Sequence, residues 1–203
     1  MSPAREQIRS LATPVGEARA VLTGRGGGLA VLGHGAGGGV GAADLVAVTG
    51  ALVQAGWTVA RVEQPYRVQG RRAPDRAPRL DAAWTAVVEQ LTKRRSGPLL
   101  VGGRSSGARV ACRTADAVGA DAVLGLAFPL HPPGRVASSR SEELALVGDR
   151  PLLVVQGDRD PFGTAAEFPP DVEVVSVPGD HSLRRTTPVV EALLGWLAAQ
   201  ALT

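Results

Sequence analysis

The chain has 203 residues, a formal net charge of +3, and 44% hydrophobic, 20% charged and 3% aromatic residues. This composition indicates one globular domain over residues 1–203 and excludes a disordered or fibrous chain. Aromatic residues are too sparse for a basic, base-stacking nucleic-acid surface. No apolar run reaches the roughly 18 residues of a membrane span, and the amino-terminal segment lacks a signal-type apolar stretch. We therefore expect a cytoplasmic protein without nucleic-acid or membrane partners.

Cysteine and histidine usage gives no indication of a metal site or a disulfide framework. The single Cys112 excludes an intrachain disulfide. The three histidines, His34, His131 and His181, are far apart in the sequence and lack the spacing of a zinc site. We therefore expect no metal and no other cofactor.

Short apolar runs alternate with segments of helical periodicity along the chain. The predicted strands are Ala18–Thr23, Gly28–Leu32, Trp57–Val62, Pro98–Gly102, Ala122–Phe128, Pro151–Val155 and Val172–Val177. The predicted helices are Ala42–Ala55, Leu80–Leu91, Ser106–Val118 and Pro188–Ala199, the last with Thr187 as its N-cap. This alternation predicts an α/β fold in which helices cover both faces of a mostly parallel, doubly wound sheet of about six or seven strands. In such sheets the ligand site lies beyond the carboxyl ends of the strands.

The most informative motif follows the predicted strand Pro98–Gly102. Gly103-Arg104-Ser105-Ser106-Gly107 matches the G-x-S-x-G nucleophile elbow, with a strand before it and a helix after it. So tight a turn crowds the backbone around Ser105, and the residues two positions away must therefore be small. The turn lifts the hydroxyl to its apex at the start of the helix. Ser105 is the candidate nucleophile, whereas Ser106 lacks the two flanking glycines.

A serine hydroxyl needs a base, and the base needs a third group to orient it. Two later strand ends supply these residue types, in the segments Gly157-Asp158-Arg159-Asp160 and Gly179-Asp180-His181. We expect Asp160, which lies deeper in its loop, to be the acid and His181 to be the base. Asp158 and Asp180 are then expected to hold turns. Serine, acid and histidine follow one another in the order found in proteins with this elbow.

The glycine-rich loop after the strand Gly28–Leu32 is the candidate partner of the elbow in binding an oxyanion. Its sequence is Gly33-His34-Gly35-Ala36-Gly37-Gly38-Gly39. Small residues let the backbone approach a substrate oxygen closely. The amide of Ala36, or next that of Gly37, is therefore expected to act together with the amide of Ser106. His34 is expected to brace the loop.

The sequence resembles the α/β-hydrolase superfamily over essentially its whole length. The matching stretches are GHGAGG, PYRVQGRRAPDR with LDAAW, GGRSSGAR, FPLHPPG, VVQGDRDPFG and GDHSL. They are most similar to small lidless hydrolases near the dienelactone-hydrolase type, a branch that includes a testis-expressed protein and a subunit of a chromatin-modifying complex. The resemblance implies Ser105 as nucleophile, Asp160 as acid and His181 as base. At position 106 the chain has serine where the branch often has a bulkier residue such as methionine.

The chain after the strand that ends at Phe128 is too short to form a cap domain. Residues 129–150 make little more than a long loop, with a short helix predicted around Glu142–Val147. We therefore expect a minimal α/β-hydrolase fold with an open, shallow site. A small ester or thioester is the expected substrate.

Three side chains on the catalytic side of the predicted sheet are candidate substrate contacts. Arg71 and Arg72 lie in the loop after the strand Trp57–Val62, and they suit a carboxylate or phosphate group. His131 follows the strand that ends at Phe128. The alternative for the arginines is that they pin their own loop, and the alternative for His131 is a structural place in its loop.

Two other functions are open at this point. One is a non-catalytic interaction or scaffold protein, although such a protein has no need of all three predicted catalytic side chains. The other is a dinucleotide-binding protein, because Gly33-x-Gly35-x-x-Gly38 matches the fingerprint G-x-G-x-x-G. Glu63, at the end of the next predicted strand, is then the candidate ribose ligand. That alternative leaves the elbow and His181 unexplained.

Overall fold

A single sheet carries the strand ends on which the predicted site depends. The computed structural model describes residues 6–93 and 95–202. Its strands are β1 (Gln7–Thr13), β2 (Gly16–Thr23), β3 (Gly28–Gly33), β4 (Trp57–Glu63), β5 (Leu99–Arg104), β6 (Ala122–Leu126), β7 (Leu152–Gly157) and β8 (Glu173–Val177). Its helices are α1 (Ala43–Gln54), α2 (Pro65–Val68), α3 (Ala77–Thr92), α4 (Ser106–Thr114), α5 (Ser141–Ala145) and α6 (Thr186–Ala199), and Ala165–Glu167 form a 3₁₀ helix.

Most neighbouring strands of the sheet run parallel. Within the described residues, eight strands lie in the order β1-β2-β4-β3-β5-β6-β7-β8. The pairs β1–β2 and β2–β4 are antiparallel, and the other five are parallel. The predicted α/β fold with a mostly parallel sheet is therefore confirmed. Because β3, β5, β7 and β8 run in one direction, the loops after them emerge at one edge of the sheet.

Helices cover both faces of the sheet, as predicted. Helices α1 and α6 pack on one face, and α3, α4 and α5 pack on the other. In α1, Leu45, Val48 and Leu52 recur at helical spacing, so their side chains form one buried stripe. In β3, the consecutive residues Val31 and Leu32 are both fully buried but belong to opposite faces. A strand buried on both sides needs apolar residues at every position, which is why the central strands read as continuous apolar runs.

The strand β1 is an addition to the predicted sheet, which was expected to have six or seven strands. Its sequence QIRSLAT is largely polar, and among its residues only Leu11 is buried. It pairs with β2 through a two-residue turn that brings Thr13 opposite Gly16. Backbone pairing at the edge of the sheet, rather than burial, therefore holds this strand.

Several helix ends differ from the predictions. The predicted N-cap Thr187 is wrong, because α6 begins at Thr186 and Arg185 is its flanking residue. Pro188 is tolerated inside the first turn because the first four amides of a helix have no partner within it. Helix α3 begins at Ala77, before the predicted start at Leu80, and its first turn tolerates a proline for the same reason. Helix α4 ends at Thr114, before the predicted end at Val118.

The segment between β6 and β7 contains one short helix, α5, and adds no cap domain over the sheet edge. In the described part of the chain, no helix is both long and apolar enough to cross a membrane. The edge of the sheet that carries the predicted site residues is therefore formed by the loops after the parallel strands themselves.

Candidate active site

Ser105 occupies the turn between β5 and α4 in a strained backbone conformation. Its φ of 51° and ψ of −116° are unfavourable for a residue with a side chain. A Cβ atom on Gly103 or on Gly107 would collide with the carbonyl oxygen of Gly33 in the neighbouring strand. The amide of Ser105 donates to the carbonyl of Leu126 at 2.9 Å, which ties the turn to β6. Glycine is thus required on both sides of the serine, as the motif predicts.

The structure brings together the three residues predicted from separate strand ends. His181 Nε2 lies 2.9 Å from Ser105 Oγ, and His181 Nδ1 lies 2.8 Å from Asp160 Oδ2. An ionised carboxylate only accepts hydrogen bonds, so Nδ1 carries the ring proton and donates it to Asp160. Nε2 is then left to accept the hydroxyl proton of Ser105. This arrangement is the one in which histidine can act as a general base.

The carboxylate of Asp160 is buried and its two oxygens are fully engaged. Oδ1 accepts from the amide of Phe162 at 2.9 Å. Oδ2 accepts from His181 and also from the side-chain amide of Gln156, Nε2, at 2.9 Å. The same Gln156 nitrogen contacts the carbonyls of Phe128 and Gly163. Gln156 therefore fixes both the carboxylate and the loop that carries it.

The sequence analysis did not single out Gln156, although a signal for it exists. It is a polar residue at the end of the otherwise apolar strand β7, and its exposed fraction is 0%. A fully buried amide needs hydrogen-bond partners. A polar residue at such a strand end is therefore a candidate for orienting a neighbouring site residue.

Phe162 is a second contact that the sequence analysis missed. Its ring packs on the imidazole of His181 with a centroid distance of 4.3 Å and an interplanar angle of 36°. The ring thus limits rotation of the imidazole between its partners Ser105 and Asp160.

Of the two other aspartates of these loops, Asp180 holds its own turn, as expected, whereas Asp158 bonds the neighbouring loop. Asp158 accepts from the amide of Gly179 at 2.9 Å and so links the loops after β7 and β8. Asp180 accepts from the amide of Ser182 at 2.8 Å, and this hydrogen bond lowers the pKa of Asp180.

The glycine-rich loop after β3 lies against the nucleophile elbow. A Cβ atom on Gly35 would lie 3.5 Å from the Cβ of Ser105. The carbonyl of Ala36 accepts from the hydroxyl of Tyr66 at 3.0 Å. Burial raises the pKa of Tyr66 to about 12, so this hydroxyl stays protonated and able to donate. The loop is therefore held beside Ser105, and the amides of Ala36, Gly37 and Ser106 stay the predicted oxyanion donors.

His34 braces this loop with both of its ring nitrogens. Nδ1 donates to the carbonyl of Gly35 at 2.8 Å, and Nε2 accepts from the amide of Gln64 at 3.1 Å. Burial lowers the pKa of His34, which favours the neutral ring that these two bonds require. Both ring nitrogens of His34 are thus engaged in hydrogen bonds.

Two of the three candidate substrate contacts, Arg71 and His131, bind other groups of the protein. Arg71 donates two hydrogen bonds of 3.0 Å to Asp75, the pairing considered as its alternative role. His131 is 4% exposed and bonds the carbonyl of Pro132 and the carboxylate of Glu167, each at 3.0 Å. The side chain of Arg72 is exposed. Substrate contact by any of the three stays a prediction.

Three other features of the chain bear on its chemistry: the cysteine, the metal-ligating side chains and the glycine-rich fingerprint. Cys112 is fully buried, and burial raises its pKa to about 12, which disfavours a thiolate nucleophile. Within residues 6–93 and 95–202, no three histidine, cysteine, aspartate or glutamate side chains are grouped to hold a metal ion.

The dinucleotide alternative requires a helix close to Gly38 and a free acid at Glu63. The helix after Gly38 begins only at Ala43. The carboxylate Oε2 of Glu63 lies 3.7 Å from Nη1 of Arg19. These last features do not favour the dinucleotide alternative.

Comparisons with known proteins agree with this architecture. A family model described as an alpha/beta hydrolase domain matches residues 27–189. No curated protein matches the sequence significantly. XC6422 from Xanthomonas campestris, an a/b serine hydrolase without lid, is similar with a TM-score of 0.79 and 20% identity, covering 98% of this chain and 97% of that one.

Two further solved structures have the same fold. Est1E from Butyrivibrio proteoclasticus has a TM-score of 0.78 at 17% identity, covering 97% of this chain and 99% of its own. Dienelactone hydrolase from Anabaena variabilis has a TM-score of 0.74 at 16% identity, covering 97% and 98% respectively. The chain thus spans nearly the full length of each of these structures.

Proposed function

The chain belongs to the α/β-hydrolase family, and we propose that it is a serine hydrolase that cleaves a small ester or thioester through an acyl-enzyme. The observation that carries the proposal is the series of hydrogen bonds from Ser105 to His181 and from His181 to Asp160, at 2.9 and 2.8 Å. A serine hydroxyl is a weak nucleophile until a base takes its proton, and this series supplies an oriented base. The chemistry requires no cofactor.

In the acylation step, Ser105 Oγ attacks the carbonyl carbon of the substrate while its proton passes to His181 Nε2. The amides of Ser106 and Ala36 hold the negative charge that develops on the carbonyl oxygen. His181 then gives its Nε2 proton to the leaving oxygen or sulfur as the bond from that atom to the carbonyl carbon breaks. Asp160 keeps the ring in the required tautomer and stabilises the imidazolium.

In the deacylation step, water attacks the carbonyl carbon of the acyl-enzyme and gives a proton to His181 Nε2. The same proton then returns to Ser105 Oγ as the acyl bond breaks. The products are a carboxylic acid and the free enzyme, so the histidine serves as base and acid in turn.

The small size of the proposed substrate follows from the segment between β6 and β7. Its helix α5 packs back onto α4, where Glu143 accepts from Arg109 at 2.7 and 2.6 Å. Leu144 of the same helix is buried in the core beneath it. The helix of this segment is therefore committed to the helical layer, and the segment adds no cap domain that could enclose a long acyl group above Ser105.

Labelling with a fluorophosphonate probe tests the proposal. We expect the wild-type protein to be labelled at Ser105, and Ser105→Ala to lose the label together with nearly all turnover of short p-nitrophenyl esters, on the order of 10⁶-fold. Ser10→Ala, which removes an exposed hydroxyl bonded to Glu17, is the matched control and keeps both signals.

Two results would contradict the proposal. One is label that survives Ser105→Ala unchanged. The other is a folded wild-type protein that neither reacts with the probe nor hydrolyses short esters, as a scaffold protein of this fold would behave. A thermal shift on titration with NAD or NADP would favour the dinucleotide alternative instead.

A further inference from the structure

The residue just before the nucleophile, Arg104, has a side chain that the proposed mechanism does not use. Its Nε donates to Asp44 Oδ2 at 2.8 Å, and its Nη2 donates to the main-chain carbonyl of His181 at 2.6 Å. The side chain of Arg104 is 14% exposed and that of Asp44 is 0% exposed. One largely buried guanidinium thus joins the start of α1 to the loop that carries the predicted base.

The position of this guanidinium links three loops of the site, those after β3, β5 and β8. Asp44 lies in the first turn of α1, directly after the glycine-rich loop. Gly35 in that loop lies over the arginine, because a Cβ on Gly35 would be 3.0 Å from Arg104 Nη1. Arg104 itself ends β5 and precedes Ser105. The side chain therefore touches the loop of the predicted oxyanion donors and the loop of His181 from within the elbow.

We infer that Arg104 is a positioning residue that sets the place of the His181 imidazole by holding its main-chain carbonyl. This inference rests on the proposed function, in which Nε2 must lie within hydrogen-bond distance of Ser105 Oγ. Misplacing a catalytic group by about 1 Å can cost about 10²-fold in rate. The bond from a charged donor to a carbonyl is short and directional, so it suits this task.

The geometry requires an arginine rather than a lysine. The guanidinium is a planar fork whose Nε and Nη2 point to different partners at the same time, whereas an ammonium group is a single compact charge. A lysine at position 104 can pair with Asp44 or reach the carbonyl of His181. Asp44 supports this role, because its buried carboxylate accepts from Nε of Arg104 and so fixes the orientation of the guanidinium.

Arg150 provides a matched control elsewhere in the fold. It donates to Asp116 at 2.7 Å and to the main-chain carbonyls of Ala120 and Val147 at 2.9 and 3.1 Å, so it also joins a carboxylate to main-chain carbonyls. It precedes β7, at the end of the strand opposite the site. A variant that loses these bonds reports the structural effect alone.

The experiment compares Arg104→Met, Arg104→Lys and Arg150→Met. The measurements are kcat and KM for a short p-nitrophenyl ester, the unfolding midpoint, and the low-field proton resonance of His181 Nδ1. We expect Arg104→Met to lose about 10²-fold in kcat with KM nearly unchanged and to lose the resonance. Arg104→Lys recovers part of kcat. Arg150→Met lowers the unfolding midpoint and keeps kcat and the resonance.

Asp44→Asn gives a second test that leaves Arg104 in place. We expect it to lower kcat less than Arg104→Met does, because Arg104 keeps its bond to the carbonyl of His181. If Arg104→Met does not fold, Arg104→Lys and Asp44→Asn carry the test by the same measurements.

Either of two results would overturn the inference. One is a folded Arg104 variant with wild-type kcat and an unchanged His181 resonance. The other is an equal loss of kcat in Arg150→Met. If the wild-type protein has no esterase activity, the proposed function fails, and the His181 resonance alone then decides whether Arg104 positions the ring.

Discussion

The strained backbone of Ser105 leads to a prediction about stability that can be measured without a substrate. A residue with a side chain at φ 51° and ψ −116° costs about 1–3 kcal/mol of strain, which glycine avoids. Glycine also makes the unfolded chain more flexible, at a cost of about 0.4–1 kcal/mol. Ser105→Gly should therefore be more stable than Ser105→Ala by about 1–2 kcal/mol. Both variants lose the hydroxyl, so the difference isolates the backbone.

The assay is urea and thermal unfolding of both variants at one pH. For a chain of this size, about 1–2 kcal/mol corresponds to a higher midpoint of about 2–8 °C for Ser105→Gly. The same pair of changes at Ser10, within strand β1, should give the opposite order, since glycine in a strand is less stable than alanine by about 0.5–1 kcal/mol. An Ser105→Gly variant that is no more stable than Ser105→Ala would refute the strain argument.

Three further predictions concern the supports of the site. Gln156→Leu removes the amide that donates to Asp160 Oδ2 at 2.9 Å and to the carbonyls of Phe128 and Gly163. Asp160 Oδ2 keeps its bond from His181 and the Phe128 carbonyl keeps its bond from the Leu130 amide, so kcat should fall and the free energy of unfolding should drop by about 1–3 kcal/mol in all. Gln90→Leu, which loses bonds to two carbonyls far from the site, should keep kcat. Gly107→Ala places a Cβ against the backbone of β3 and should cost about 1–3 kcal/mol in thermal unfolding, and a wild-type midpoint would contradict this packing. Hydrogen bonds to a backbone carbonyl and to Glu167 raise the pKa of His131 above its ordinary 6.5, so the stability it contributes is complete below pH 6.5 and is lost as pH rises through the raised value. His131→Gln should therefore narrow its stability gap from the wild type as pH rises in urea titrations, and a gap that widens would refute this sign.

The three residues of the candidate site were predictable because a parallel sheet places the loops that carry them at the same edge. Each of Ser105, Asp160 and His181 directly follows a different strand, and the carboxyl ends of parallel strands share an edge. The apolar runs indicated those strands because strands buried on both faces tolerate few polar residues. Sequence pattern and topology together therefore define the site without knowledge of any distance.

The supporting contacts were not predictable in the same way. Arg104 meets partners 60 and 77 residues away in the sequence, and no periodicity indicates which carbonyl a long side chain will reach. Strand β1 was missed for a different reason, since it buries only Leu11 and depends on pairing with β2. Patterns of burial reveal the core, whereas edge pairing and polar contacts across loops depend on the folded geometry.

Rapid-quench intact-mass measurement with p-nitrophenyl acetate tests the account most directly. We expect the wild-type protein to gain the mass of one acetyl group during the burst of p-nitrophenol, and the acetyl group to lie on the peptide containing Ser105. Release of p-nitrophenol without a covalent adduct, or an adduct on the buried Cys112, would contradict it.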